Sequence, residues 1–169
     1  MNKGLYVMMG VAGSGKSLIG AALAHALDVE FVEGDEFHSE HNIDKMSRGI
    51  PLTDADRAEW LGALAFRLRV NRRAGTGIVI ACSALKRSYR DVLRGGTKDV
   101  HFIFLTGPRD LIAQRLAARG GHFMPASLLD SQLATLEAPA PDENAWVCDI
   151  TKPPAEIITD LVKSARASQ

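Results

Sequence analysis

The chain has 169 residues, 46% of them hydrophobic, and its 20 basic side chains balance 20 acidic ones. This length supports one ordinary hydrophobic core, so we expect a single domain over residues 1–169. The net charge of zero offers no overall positive field to a nucleic acid backbone or an anionic membrane, so neither is an expected partner. No run reaches the ~18 apolar residues of a membrane span and the first residues lack a signal-peptide pattern, so we expect a cytoplasmic protein.

Short apolar runs rich in β-branched residues alternate along the chain with longer segments of helical periodicity. This alternation is typical of a parallel sheet covered by helices. The predicted strands are residues 5–9, 30–34, 77–82, 100–106 and 145–150. The sequence therefore predicts a three-layer α/β fold with a five-stranded parallel sheet flanked by helices.

The predicted helices have recognisable starting signals. The first begins within a glycine-rich loop, and the second begins near Thr53, where "TDAD" resembles a capping box with Asp56 in the acidic position. Proline suits the first turn of a helix, where no backbone N–H donor is needed. Further helices are predicted to follow Ser83, Pro108, Pro125 and Pro154.

The glycine-rich loop reads "GVAGSGKS" at residues 10–17 and has the spacing G-x-x-x-x-G-K-S. In this pattern, glycines let backbone N–H groups turn toward a phosphate, and the following helix adds its positive N-terminus. The lysine reaches the β and γ phosphates, and the serine hydroxyl ligates Mg²⁺. A chance turn is the alternative, but the apolar strand before and the apolar helix after favour a nucleotide site. The predicted ATP-binding residues of this phosphate loop are Gly10, Gly13, Ser14, Gly15, Lys16 and Ser17.

A phosphate loop alone is compatible with a hydrolytic switch, a motor or a kinase. A guanine-specific switch needs N-K-x-D and D-x-x-G, and neither string occurs in this sequence. Residues 36–60 are instead dense in ionisable and amide groups. A solvated loop is the alternative interpretation, but this segment follows the carboxyl end of a strand, where ligands bind in open α/β sheets. We therefore predict a substrate-binding segment at about 36–60, with Asp35 directly before it.

This segment resembles the signature of the P-loop gluconokinases, relatives of the shikimate kinases and nucleoside monophosphate kinases. The matching positions are His38, Asn42, Lys45, Met46, Gly49, Pro51, Leu52, Asp54, Asp56, Arg57 and Trp60. Further matches are "CSALKRSYRD" (82–91), "RLAARGGHFM" (115–124) and "LLDSQLATLEAP" (128–139), so the resemblance spans nearly the whole chain. One departure is Glu33, where the family often has aspartate.

The resemblance implies a P-loop NTPase fold and an enzyme that uses ATP and Mg²⁺ to phosphorylate D-gluconate on its terminal hydroxyl, giving 6-phosphogluconate. It also implies a homodimer and a lid over ATP at about 115–126. The alternative within the class is a shikimate kinase-like or other small-molecule P-loop kinase, although "PLTDADR" stands where shikimate kinases have Phe-Arg-x-x-Glu. The alternative of another class is a non-catalytic nucleotide-binding regulator.

Phosphoryl transfer depends mainly on positioning and on neutralising charge, so cations should converge on the transferred group. We predict Lys16 as the first of these catalytic cations, with Arg115 and Arg119, four residues apart on one helix face, as the second source. Arg115 and, by its position in the chain, Pro153 are also predicted at the ATP site. Asp35 is the predicted base for the attacking hydroxyl.

The metal and substrate sites complete this set of predictions. Ser17 and Asp35 are the predicted Mg²⁺ residues. A sugar acid presents a carboxylate and several hydroxyls, so its site needs a cation and many hydrogen-bonding groups. The predicted substrate-binding residues are Asp35, His38, Asn42, Lys45, Lys86, Arg90 and His122.

Overall fold

The computed structural model describes residues 3–119 and 126–169. The strands are β1 (Leu5–Met9), β2 (Glu30–Glu33), β3 (Ile78–Ala81), β4 (Val100–Thr106) and β5 (Trp146–Asp149). The α-helices are α1 (Lys16–Leu27), α2 (Glu40–Ser47), α3 (Asp54–Ala74), α4 (Arg87–Arg94), α5 (Arg109–Ala118), α6 (Ala126–Thr135) and α7 (Pro154–Ala167). Short 3₁₀ helices occur at Gly34–Phe37 and Pro141–Glu143. Within these two ranges, no helix has both the length and the apolar character needed to cross a bilayer.

The five strands are parallel and lie in the order β2-β3-β1-β4-β5. β1 is the central strand: it pairs with β3 on one side and, along its whole length, with β4 on the other. The predicted five-stranded parallel sheet is thus confirmed, and β2, β3 and β5 are only slightly shorter than predicted. Because the strands are parallel, all their carboxyl ends lie along one edge, and the chain changes direction there on either side of β1.

Helices cover both faces of the sheet, as the continuous apolar runs of the strands require. All five residues of β1 are buried, with alternate side chains contributing to opposite faces. On one face Val7, Ile80 and Phe102 pack with residues of α3 and α4, among them Leu64, Leu68 and Leu93. On the other, Met8 and Ile103 pack with residues of α1, α5, α6 and α7, among them Leu23, Ile112, Leu129 and Leu161.

The helix starts confirm some local signals and correct others. Thr53 Oγ1 accepts from the Asp56 N–H at 3.1 Å and Asp56 Oδ2 accepts from the Thr53 N–H at 2.9 Å, which is the predicted capping box. Pro154 is the first residue of α7, as predicted. The helix after β3 begins later than expected, at Arg87, because Ala84 has a φ of 46° that is incompatible with a right-handed helix.

A buried ion cluster ties α4 to the 3₁₀ helix before β5. The Arg90 Nε and Nη2 atoms donate to the Glu143 carboxylate at 2.7 and 3.1 Å, and Arg94 Nη2 donates to it at 2.7 Å. The side chains of Arg90 and Glu143 are 0% and 1% exposed. Burial alone would raise the pKa of Glu143, but the hydrogen bonds from Arg90 and Arg94 outweigh it and lower that pKa to about 2.

Glu143→Gln removes the charge that balances the buried Arg90, so we expect the free energy of unfolding at pH 7 to fall by about 3–5 kcal/mol. Because the folded-state pKa of about 2 lies below the ordinary value of 4.5, this contribution is present above pH 4.5 and is lost as the pH falls toward 2. Urea unfolding of both proteins across this range checks the prediction. The matched control is Glu59→Gln on exposed α3 surface, and a loss as large in the control would contradict a specific role for the cluster.

Candidate active site

The phosphate loop, residues 10–17, connects the carboxyl end of β1 to α1. Gly10 and Gly13 have φ values of 149° and 83°, which strain any residue with a side chain. Space is restrictive too: a Cβ at Gly10 would lie 2.8 Å from the carbonyl oxygen of Leu105, and one at Gly13 would lie 2.6 Å from Cγ of Leu116. Gly15 is the N-cap of α1, so the free N–H groups of that helix start open onto the loop. This backbone arrangement suits an anion.

The Lys16 side chain is held against the backbone of the loop. Lys16 Nζ donates to the carbonyl oxygens of Gly10 and Val11, each at 3.0 Å. Burial lowers the pKa of Lys16, an effect that the negative charge of Asp35 opposes. Ser14 is buried and its N–H donates to the Val11 carbonyl at 3.2 Å. The cation of Lys16 therefore lies over the loop, next to the place where a phosphate would bind.

A hydroxyl at the start of α1 and two carboxylates at the end of β2 lie beside the loop. Ser17 is exposed in the first turn of α1 and donates a hydrogen bond to Glu33, while Asp35 is exposed in the 3₁₀ helix after β2. These hard oxygen donors fit Mg²⁺, which typically takes one or two carboxylates together with substrate phosphates and water. In the two described ranges, no cluster of three or more His, Cys, Asp or Glu side chains could hold a metal alone. Glu33, the residue that departs from the family pattern, thus lies in contact with Ser17.

His38 is fixed beside Asp35 by an aromatic contact. Its ring stacks on the buried Trp60 with centroids 4.1 Å apart. Trp60 Nε1 in turn donates to the Gly34 carbonyl at 2.7 Å, so α3 holds the start of the 3₁₀ helix that carries Asp35. Burial lowers the pKa of His38, and Asp35 opposes this effect. The lowered pKa favours the neutral imidazole, which has one hydrogen-bond donor and one acceptor.

Asn42 and Lys45 lie on α2 and attach it to the start of α3. The buried Asn42 donates from Nδ2 to the backbone carbonyl of Asp56 at 2.8 Å, and the same nitrogen lies 3.3 Å from His38 Nδ1. Lys45 Nζ donates to Asp56 Oδ2 at 2.5 Å. The structure therefore brings His38, Asn42 and Lys45 together, as predicted for one segment. Their contact with substrate stays a prediction.

Two cations flank Tyr89 at the same edge of the sheet. The guanidinium carbon of Arg57 lies 5.5 Å from the centroid of the Tyr89 ring, and Lys86 Nζ lies 5.6 Å from it. Arg57 Nη1 also donates to the Leu52 carbonyl at 2.8 Å, and Lys86 Nζ lies 3.4 Å from Asp54 Oδ1. The sequence predicts Lys86 as a substrate-binding residue but gives Arg57 only as a position that matches the family, although its positive charge also suits a sugar acid.

Arg90 does not join this group, which corrects the prediction that it binds substrate. It comes four residues after Lys86, but Lys86 precedes α4 as its N-cap whereas Arg90 points into the protein. Its guanidinium is enclosed and donates to Glu143 and, at 2.9 Å, to the Ala84 carbonyl. Arg90 is therefore a structural cation.

The predicted lid is described only at its edges. Arg115 Nη2 donates to the Ile150 carbonyl at 2.9 Å, which places this guanidinium beside the turn where Pro153 caps α7. Arg119 is exposed at the end of α5. Burial is the main cause that lowers the pKa of Lys16, and the positive charge of Arg119 lowers it slightly further. His122 and most of the proposed lid segment lie outside the described residues.

A phosphate loop that leaves the central strand of a parallel sheet defines the P-loop NTPase class. The sequence matches the family described as "AAA domain" over residues 5–139. It is 47% identical to a gluconokinase of Gluconobacter oxydans over 95% of this chain and 90% of that one. It is 48% identical to the thermosensitive gluconokinase of Escherichia coli over 82% and 74%.

A solved structure agrees with these sequence matches. A gluconokinase from Sinorhizobium meliloti superposes with a TM-score of 0.88 at 46% identity, covering 98% of this chain and 93% of that one. The chain belongs to the gluconokinase family of P-loop kinases. The fold and the family expected from the resemblance are thereby confirmed, and use of ATP follows from membership of the P-loop kinases.

Lys16→Ala should lower turnover by orders of magnitude, because it removes the cation that lies over the loop. We expect the fold to remain intact, since the side chain bonds to loop carbonyls rather than to the core. Steady-state kinetics and thermal unfolding check this, with the exposed Lys98→Ala as the matched control. Near-normal activity of Lys16→Ala would contradict the phosphate-loop assignment.

Proposed function

We propose that this chain transfers the γ-phosphoryl group of ATP to the terminal hydroxyl of D-gluconate, giving ADP and 6-phosphogluconate. The observation that carries the proposal is the meeting of the phosphate loop, Asp35 and the two cations beside Tyr89 at one edge of the sheet, in a member of the gluconokinase family. An anion site for a nucleotide thus adjoins a cationic, hydrogen-bonding site of the kind that a sugar acid needs.

The phosphates of ATP bind to the N–H groups of the phosphate loop and to Lys16. Arg115 and Arg119 supply further positive charge from the end of α5, with Arg115 and Pro153 beside the nucleotide base. Charge develops on the transferred phosphoryl group and on the leaving ADP, so cations fixed near both lower the barrier. Positioning and charge neutralisation, rather than covalent chemistry, account for most of the catalysis in this proposal.

Ser17, together with Glu33 and Asp35, would hold the Mg²⁺ ion. When bound, the ion neutralises negative charge on the β and γ phosphate oxygens. The hydrogen bond from Ser17 to Glu33 orients the serine oxygen before any ion arrives. Glu33 therefore replaces the more frequent aspartate as a carboxylate that orients the serine.

The gluconate carboxylate binds Arg57 and Lys86, and its hydroxyls bind His38 and Asn42. Neither cation is locked in a buried pair: Lys86 keeps 33% of its side chain exposed and contacts an exposed aspartate, so a ligand carboxylate can replace that contact at little cost. Asp35 accepts the proton of the terminal hydroxyl while the hydroxyl oxygen forms its bond to the γ phosphorus and ADP leaves. The homodimer that the resemblance implies and the cytoplasmic location expected from the sequence belong to the same proposal.

A coupled assay of ADP release tests the proposed substrate. The panel contains gluconate, other sugar acids, shikimate and nucleoside monophosphates, with ATP and Mg²⁺ in every reaction. We expect turnover that depends strictly on added gluconate. Preference for shikimate or a nucleotide would favour another small-molecule kinase, and nucleotide binding without any acceptor-dependent turnover would favour a regulator.

Asp35→Asn keeps the size of the side chain but removes the charge that takes the hydroxyl proton. We expect ATP to bind normally while transfer to gluconate slows by about 10²- to 10⁴-fold. Single-turnover transfer at saturating substrate concentrations measures this step directly. The control is Asp160→Asn on exposed α7 surface, and transfer by Asp35→Asn within about threefold of wild type would exclude Asp35 as the base.

A further inference from the structure

Gln132, on α6, contacts the backbone of the phosphate loop from a distant part of the chain. Its Oε1 atom accepts a hydrogen bond from the N–H of Ala12 at 2.7 Å, across 120 positions of sequence. In a phosphate loop most backbone N–H groups point toward the bound phosphate. The N–H of Ala12 instead donates to a side chain from another helix. The proposed phosphoryl transfer assigns no step to Gln132.

The surrounding backbone groups of the loop already have partners. The Val11 carbonyl accepts from the Ser14 N–H at 3.2 Å and from Lys16 Nζ at 3.0 Å. The Gly10 N–H donates to the Ser83 carbonyl at 3.2 Å. The Ala12 N–H is the next group along, and without Gln132 it would lose its partner in a half-buried position. An unpaired N–H there would favour a rotated peptide and a distorted loop.

The helix that carries Gln132 is firmly held. Leu129, one turn earlier, is 1% exposed and packs in the same core as Val11 and Leu116. Arg109 of α5 also pairs with Asp130 at 2.6 and 3.1 Å, but both side chains are exposed, so this pair adds little to the packing of α6. The Gln132 side chain therefore projects from a support that does not depend on its own hydrogen bond.

We infer that Gln132 is a positioning residue that keeps the phosphate loop in its nucleotide-binding geometry before ATP arrives. A loop that is already ordered loses less conformational freedom on binding, so nucleotide affinity is higher. ADP and ATP share the phosphates that such a loop binds, so the effect is equal for both. Nucleotide binding can be measured without gluconate, so this part of the inference does not depend on the proposed function. Only an effect of Gln132 on turnover rests on it.

Gln132→Met tests this role, since methionine has a similar length and no strong acceptor. Gln132→Asn is a second variant that keeps the amide but is one methylene too short to reach Ala12. The matched control is Gln114→Met, which changes an exposed glutamine on the neighbouring α5. Calorimetric titration with Mg·ADP and with a non-hydrolysable ATP analogue measures affinity, and thermal unfolding shows that each variant folds.

We expect both Gln132 variants to bind ADP and the ATP analogue about tenfold more weakly, the equivalent of one lost hydrogen bond. The KM for gluconate should stay at its wild-type value, and the unfolding midpoint should fall by only a few degrees, because each variant loses one half-buried hydrogen bond. Gln114→Met should behave as wild type. Unchanged nucleotide affinity, or an equal loss in Gln114→Met, would overturn the inference. So would weakening of the ATP analogue alone, since that would mean a direct contact with the γ phosphate. Wild-type protein that binds ADP but does not phosphorylate gluconate would refute the proposed function and leave this test valid.

Discussion

The burial of β1 between β3 and β4 is the constraint from which the site follows. A strand buried on both faces cannot turn until it reaches the edge of the sheet, and there Gly10 lies against the carbonyl of Leu105 on β4. Gly13 lies equally close to Leu116, a residue of the core. The same packing that closes the core therefore forces a glycine backbone around the loop, with its N–H groups free to meet an anion. The shape of the phosphate loop therefore depends on the packing of the core.

Burial separates the cations that are enclosed in the fold from those that remain accessible to a ligand. Arg90 and Glu143 are almost wholly enclosed, and an ion pair of this kind cannot exchange its partner without leaving a charge unsatisfied. Lys86 contacts an exposed Asp54, and a pair of that kind contributes little to stability. A substrate carboxylate can therefore compete for Lys86 and cannot compete for Arg90. Two basic residues four positions apart thus differ in whether a ligand can reach them.

Each of the two parts of the candidate site is supported by a residue outside it. Trp60 bonds to the Gly34 carbonyl and stacks on His38, so α3 controls the 3₁₀ helix that carries Asp35. Gln132 contacts the backbone of the phosphate loop from α6. The 3₁₀ helix with Asp35 and the phosphate loop are thus each held by a helix that packs on the core.

The sequence by itself determined what depends on short-range order. It located all five strands, the capping box at Thr53 and the spacing of the phosphate loop, because period, caps and glycine positions act within a few residues. It could not determine which of the two cations is buried. The partner of Arg90 lies 53 positions away, and the positive φ of Ala84 shifts the start of α4 to Arg87, so that Lys86 lies outside the helix. The hydrogen bond from Ala12 to Gln132 could not be predicted from the sequence either, because the two residues are 120 positions apart. Only the tertiary structure decided these points, because burial and pairing arise from long-range packing that no local pattern encodes.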